Sequence, residues 1–198
     1  MNKLHQYNMN HIVGILLAAG KGKRFGGDKC LAPLSDGTPM ALRAAQQLQS
    51  AVGQVLCVVR PNDVALKALL QAHGFRTVDS VKAAEGMSES LKAGIQASAD
   101  AQAWVIALAD MPLIKTETHQ QLLEAFCEHG GIVRPAYQAQ AGHPVVFAQK
   151  YAQDLLGISG DEGAKSVLKQ HAQAVHLVPV DDAGVLQDFD TQESLQGV

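Results

Sequence analysis

The sequence predicts a three-layer α/β/α fold with a mostly parallel central sheet, and three observations carry that reading. Short apolar runs alternate with helical patterns along most of the chain, and the connections between them are short. The run Trp104–Ala109 is apolar at every position, as a strand covered on both faces must be.

The elements read as follows. Residues 1–10, MNKLHQYNMN, are polar and predict a flexible tail ahead of a single domain over residues 11–198. His11–Ala18 predicts the first strand. Thr38–Val52 is a helix with Thr38 as its cap and Pro39 in its first turn. Val55–Val59 is the second strand, and Asn62–His73 a helix that Asn62 starts and Gly74 stops. Arg76–Val78 is a short strand, Ser88–Ala99 a helix capped by Ser88, and Trp104–Ala109 the buried strand. Thr116–His129 is a helix closed by Gly130. Ile132–Arg134 and Val145–Phe147 are strand-like, and Tyr151–Leu156 and Ala164–His171 helical. Val175–Pro179 and Val185–Phe189 read as two short late strands.

Composition narrows the function. The 198 residues are 47% hydrophobic and 18% charged, with a net charge of -3. That balance leaves no broad basic surface, so neither nucleic acid nor a membrane is an expected partner. No apolar run approaches the ~20 residues of a membrane helix, and the start lacks a signal-peptide core, so a cytoplasmic location is expected. Cys30, Cys57 and Cys127 are odd in number and widely spaced, which fits a reducing compartment and argues against a disulfide framework or a zinc site. Cys57 and Cys127 read as packing. Cys30 adjoins a glycine-rich loop, yet nothing nearby identifies a base to activate it.

That loop is the densest positive feature. Leu16–Lys29, LLAAGKGKRFGGDK, follows the first strand with four glycines and four basic residues. A dinucleotide fingerprint fails, because Phe25 stands where the third glycine belongs and Arg60-Pro61 follows the second strand instead of an acid. A Walker loop fails too, because Gly27 is followed by Asp28-Lys29-Cys30. What remains is a set of backbone amides and cations suited to polyphosphate, with Arg24 adding a planar fork. Ligands of open parallel sheets bind at the carboxyl ends of the strands, so this loop and Asp110, which ends the apolar strand, should open onto one rim.

Asp110 is the best single ligand for magnesium, which prefers one or two carboxylates with phosphate oxygens and water; the bland alternative is a turn cap. Asp188 and Asp190 alternate and would face one side of an extended segment, where one could complete a metal site; Asp190 could equally cap a last helix at Thr191. Gly86–Ser90 opens a helix whose amides could meet a base or ribose. His143 lies between Gly142 and Pro144 on a polar approach to a strand. His171 and His176 read as bystanders.

Together these segments resemble the molybdenum cofactor cytidylyltransferase group, within the larger set that includes the guanylyltransferase of the same pathway. The resemblance rests on Leu17-Ala18-Ala19-Gly20, Arg24, Gly26-Gly27 and Lys29; on Gly86-Met87-Ser88-Glu89-Ser90-Leu91; on Asp110-Met111-Pro112 and Gly142-His143-Pro144; and on Gly160-Asp161-Glu162-Gly163-Ala164 and Asp188-Phe189-Asp190-Thr191. The blocks run in family order from about residue 12 to 193.

The resemblance implies a Rossmann-like nucleotidyltransferase fold that moves CMP from CTP to a molybdopterin-type acceptor and releases pyrophosphate, with magnesium or manganese as cofactor. It implies Arg24, Lys29 and Asp110 as catalytic residues. Leu17, Ala18, Ala19, Gly20, Gly22, Gly86, Met87, Ser88 and Ser90 would bind the nucleotide, and Asp110 with Asp188 or Asp190 the metal. His143, Gly160, Asp161 and Gly163 would border the acceptor, Asp161 accepting N–H bonds from a pterin. A client molybdoenzyme is a further implied partner. Cytidylyl members resemble Leu-Ala-Ala-Gly, whereas guanylyl members tend to Leu-Ala-Gly-Gly. The rivals are a guanylyltransferase, another cytidylyltransferase, and a carrier or insertion chaperone that binds the cofactor without turnover.

Overall fold

The computed structural model describes residues 11–20, 22 and 25–195; the tail expected over residues 1–10 lies outside them. The strands are β1 (Ile12–Leu17), β2 (Gln54–Val59), β3 (Arg76–Asp79), β4 (Ala103–Leu108), β5 (Ile132–Tyr137), β6 (Gln140–Ala141), β7 (Val145–Ala148) and β8 (Val175–Pro179). The helices are α1 (Met40–Gln49), α2 (Val64–Ala72), α3 (Met87–Gln96), α4 (Thr116–His129), α5 (Ala152–Gly157) and α6 (Lys165–Gln170).

One sheet runs in the order β3-β2-β1-β4-β7-β5-β6, with β8 paired to β5. β1 pairs in parallel with β2 and β4, as do β2 with β3 and β5 with β8. β7 and β6 are the exceptions, β7 running antiparallel to β4 and β5, and the short β6 antiparallel to β5. α1 and α4 pack together on one face of the sheet, and α3 with α5 on the other. The expected three layers are present, and the sheet is mostly parallel.

The core sits where apolar strands meet small helix residues. β1 and β4 are buried almost throughout, and the Trp104 indole donates its N–H to the Ser98 hydroxyl at 3.0 Å. Gly94 lets α3 close on β1, since a Cβ there would stand 2.7 Å from Ile15 Cγ2. Among the described residues no helix is long and apolar enough to cross a membrane.

Four local expectations are corrected. Thr38 does not cap α1: its N–H donates to the Asp36 carboxylate at 2.9 Å, which commits it to the preceding turn, and Pro39 takes the cap position. Asn62 lies in a turn one residue before the cap of α2, which is Asp63. Ser88 lies inside α3 behind Gly86, the residue at the cap position, and its hydroxyl is buried with no hydrogen-bond partner among the described residues. Val185–Phe189 is no strand. Ala183–Leu186 is a 3-10 turn capped by Asp182, and the backbone that follows it joins no ladder. The hairpin strand β6 had no pattern to announce it, being two residues long.

Candidate functional site

The β1 loop, the end of β4 and the segment after Leu186 meet at the carboxyl rim of the sheet. Phe25 explains how. In the slot where a dinucleotide fingerprint would place glycine, it is buried against Met40 and Phe189, and its N–H closes a turn onto the Gly22 carbonyl at 2.9 Å. Gly22 (φ +53°) and Gly26 (φ +74°) supply the left-handed turns this fold-back requires. Phe189 donates its N–H to the Asp110 carbonyl at 3.1 Å. With Phe189 pointing into the core, Asp188 and Asp190 on either side are turned toward Asp110.

The three carboxylates of Asp110, Asp188 and Asp190 have oxygens within 4.8 Å of one another. Lys29 Nζ donates to Asp110 at 2.8 Å and to Asp190 at 2.6 Å. Burial acts to lower the Lys29 pKa, but these hydrogen bonds and charges outweigh it and hold it above its ordinary value. Asp190 is therefore engaged at the site, and the last 3-10 turn is closed by Thr191 instead, which exchanges hydrogen bonds with Ser194. Three hard oxygen donors beside a cationic loop fit a hard divalent cation such as magnesium or manganese.

A cavity of about 460 Å³ opens above them, lined by Leu17, Ala18, Ala19, Gly20, Gly22, Lys29, Met87, Ser90, Asp110, Asp161 and Asp190. Of the segment expected to meet a nucleotide, only Met87 and Ser90 reach it. Gly86 instead packs against the next loop, where a Cβ would stand 2.4 Å from the Gly160 carbonyl oxygen. Ser88 spends its N–H on that same oxygen at 3.1 Å, and its side chain is fully buried. These two residues shape the wall; their side chains do not line it. Arg24 lies outside the described residues.

A second cavity of about 430 Å³ adjoins the first and shares Leu17, Met87, Leu108 and Asp161 with it. His143, Gly163 and Asp188 line this second space, while Gly160 stays beneath it in contact with Gly86. Burial, with the nearby charges of Arg134 and Lys165, pushes the His143 pKa down to about 4 against the opposing pull of Asp110, so the imidazole is neutral. Its Nδ1 is buried without a hydrogen-bond partner among the described residues.

Sequence reading missed Arg134 and Lys165, which also line this cavity, as does Glu162 of the Gly160–Ala164 block. For Arg134 the signal was available: a guanidinium in an otherwise apolar strand asks for a reason. Cys30 lies at the rim of the first cavity, but burial pushes its thiol up to about 12 and its Sγ faces the Ala18 carbonyl, so it stays protonated and unreactive.

Residues 14–175 match the MobA-like NTP transferase domain. The chain is 31% identical over 193 residues to nicotine blue oxidoreductase of Paenarthrobacter nicotinovorans, covering 93% of this chain and 94% of that one. It is 30% identical over 193 residues to the purine catabolism protein PucB of Bacillus subtilis, covering 92% and 93%. A molybdenum cofactor guanylyltransferase of Cupriavidus metallidurans is 34% identical over 117 residues, covering 58% of this chain and 54% of its own. In three dimensions the chain is similar to Rv0371c of Mycobacterium tuberculosis in complex with manganese, with a TM-score of 0.77, 23% identity, and 94% and 99% of the two chains covered. It is equally similar in fold to a nucleotidyl transferase of Methanothermobacter, with a TM-score of 0.78, 20% identity, and coverage of 93% and 94%. The chain belongs to the MobA-like NTP transferase domain family.

Proposed function

We propose that this protein transfers CMP from CTP to a phosphorylated, molybdopterin-type acceptor. The observation that carries the reading is the pair of adjoining cavities, with Lys29, Asp110 and Asp190 lining the first and Asp188, the third carboxylate of the cluster, lining the second. A triphosphate and an acceptor each need a compartment, and the reacting phosphates need cations where the compartments meet. The molybdenum cofactor guanylyltransferase among the relatives supports the choice of acceptor.

An oxygen of the acceptor's terminal phosphate attacks the α-phosphorus of CTP. The new P–O bond forms as the α–β bridge bond breaks, and pyrophosphate leaves with the electron pair. That nucleophile is already ionised near neutral pH, so no general base is required, and catalysis is alignment and charge stabilisation. Arg24, Lys29 and the Gly20–Gly27 amides hold the triphosphate. Asp110, with Asp188 or Asp190, would hold a divalent cation. When bound, it neutralises phosphate charge, the manganese complex of Rv0371c being a precedent within the fold. Asp161, at the boundary of both cavities, accepts N–H bonds from the pterin.

The test is pyrophosphate release by purified protein with the cofactor and each nucleoside triphosphate in turn. Release with CTP is expected. Preference for GTP would make the protein a guanylyltransferase, and cofactor binding without release would make it a carrier. Base choice rests partly on Ala19, buried at the lip of the first cavity. Ala19→Gly frees a methyl's volume beside the base and should lower the CTP-over-GTP ratio of kcat/KM by about tenfold without inverting it, since a methyl-sized change is worth only ~1–3 kcal/mol. An unchanged ratio would remove Ala19 from base selection.

A further inference from the structure

Arg134 holds a charge that the fold itself does not balance. It lies in β5, is half-buried, and lines the second cavity. Its Nε and Nη2 both donate to the Gly142 carbonyl oxygen, at 3.2 and 3.0 Å. That oxygen is itself fixed. The Gly142 N–H is bound to Pro135 at 2.8 Å, and the residue is wedged so tightly that a Cβ would stand 2.3 Å from the Val185 carbonyl oxygen. The guanidinium plane is thereby locked, and Nη1 makes no hydrogen bond among the described residues.

No carboxylate among the described residues forms an ion pair with it, although Asp161, Glu162 and Asp188 line the same cavity. A half-buried cation without a counter-ion is costly, and a neutral amide could serve a single carbonyl as well. The remaining cation there is Lys165, at the start of α6, and His143 is neutral in the field of both. The guanidinium therefore offers an anion a charge that no ion pair among the described residues takes up. A locked planar fork with free N–H groups suits two oxygens of a phosphate better than a flexible ammonium does.

We propose that Arg134 recognises the terminal phosphate of the acceptor and makes the enzyme selective for phosphorylated over unphosphorylated acceptors. The proposal rests on the nucleotidyl-transfer reading, which requires an acceptor phosphate in this compartment. It adds the residue that reads that phosphate and turns it toward the nucleotide.

The experiment measures binding of molybdopterin and of phosphatase-treated molybdopterin to the wild type, R134Q and R134K. A charge-assisted, two-point contact should give the wild type a preference of about 10- to 100-fold for the phosphorylated form. R134Q should abolish that preference and raise the acceptor KM, leaving the nucleotide KM unchanged. R134K should keep part of it, and it carries the test should R134Q fail to fold. Loss of the carbonyl clamp alone would lower the thermal midpoint but not the preference. A preference that survives both substitutions overturns the role of Arg134 and leaves nucleotidyl transfer standing. A wild type that binds neither form overturns both.

Discussion

Removing the Lys29 side chain takes an ammonium from between Asp110 and Asp190, where it makes contacts of 2.8 and 2.6 Å. Lys29→Ala should lower kcat by about 10²- to 10³-fold, the ~3–4 kcal/mol typical of an electrostatic catalytic group. It should move the thermal midpoint little, because the loop lysine packs little apolar surface and its partners are about one-third exposed. Turnover and midpoint are to be measured on one preparation, and near-normal turnover would exclude Lys29 from the reaction. Asp110→Asn keeps the shape of the side chain but removes a charge that hard cations favour. More magnesium should then be needed for half-maximal rate. An unchanged titration would leave Asp110 as a partner of Lys29 and nothing more.

At the scale of elements, the site depends on one small cluster. Phe189 is fully buried against Phe25 and Met40, and so fastens the chain after Leu186 to the glycine loop. Phe189→Ala should cost about 3–5 kcal/mol by leaving a cavity. It should also free Asp188 and Asp190 from their common orientation. Phe189→Leu keeps most of the contact and should cost about 1 kcal/mol. Urea midpoints give the first comparison, and magnesium dependence at a temperature where both variants are folded gives the second. Equal magnesium dependence in the wild type and Phe189→Ala would show that the cluster serves stability alone. The N-terminus of α3 is held in a similar way, by the contact of Gly86 and Ser88 with Gly160, which sets the wall between the two cavities.

Across the whole molecule, folding is linked to pH through a buried imidazole. His119, on α4, is 2% exposed and its Nδ1 has no hydrogen-bond partner among the described residues. Burial pushes its pKa down to about 4, against a weaker opposing pull from Asp182. The unfolded chain takes up the proton near pH 6.5 and the folded chain only near 4, so between those values the unfolded state binds more protons. Stability is therefore complete above about pH 6.5 and falls as the pH drops toward 4. From pH 7 to 5 the loss from this residue should be about 2 kcal/mol. His119→Leu should flatten the pH dependence of the urea midpoint by that amount, and a slope identical to the wild type would show that His119 is not buried neutral.

Much of this arrangement was legible before any coordinates. Helical periodicity together with Gly74 and Gly130, both in the left-handed region, marks the ends of α2 and α4. The unbroken apolar run marks β4, and the rule that ligands sit at strand carboxyl ends brings Lys29 and Asp110 to one rim. Local pattern suffices there because the signals lie within one element. It fails where the partner of a backbone or charged group is remote in sequence. Residues 185–189 read as a short strand, yet the Val185 carbonyl accepts from His143 and the Phe189 N–H donates to Asp110, so no ladder forms. Ser88 looks like a cap, but the Gly160 carbonyl, distant in sequence, takes its N–H and its side chain is buried. The sequence by itself determined the layers, the glycine loop and the acidic residues. Only the tertiary structure decided that Lys29 stands among those acids, and that no acid among the described residues pairs with Arg134 at the second cavity, because charge compensation is settled by distance in space.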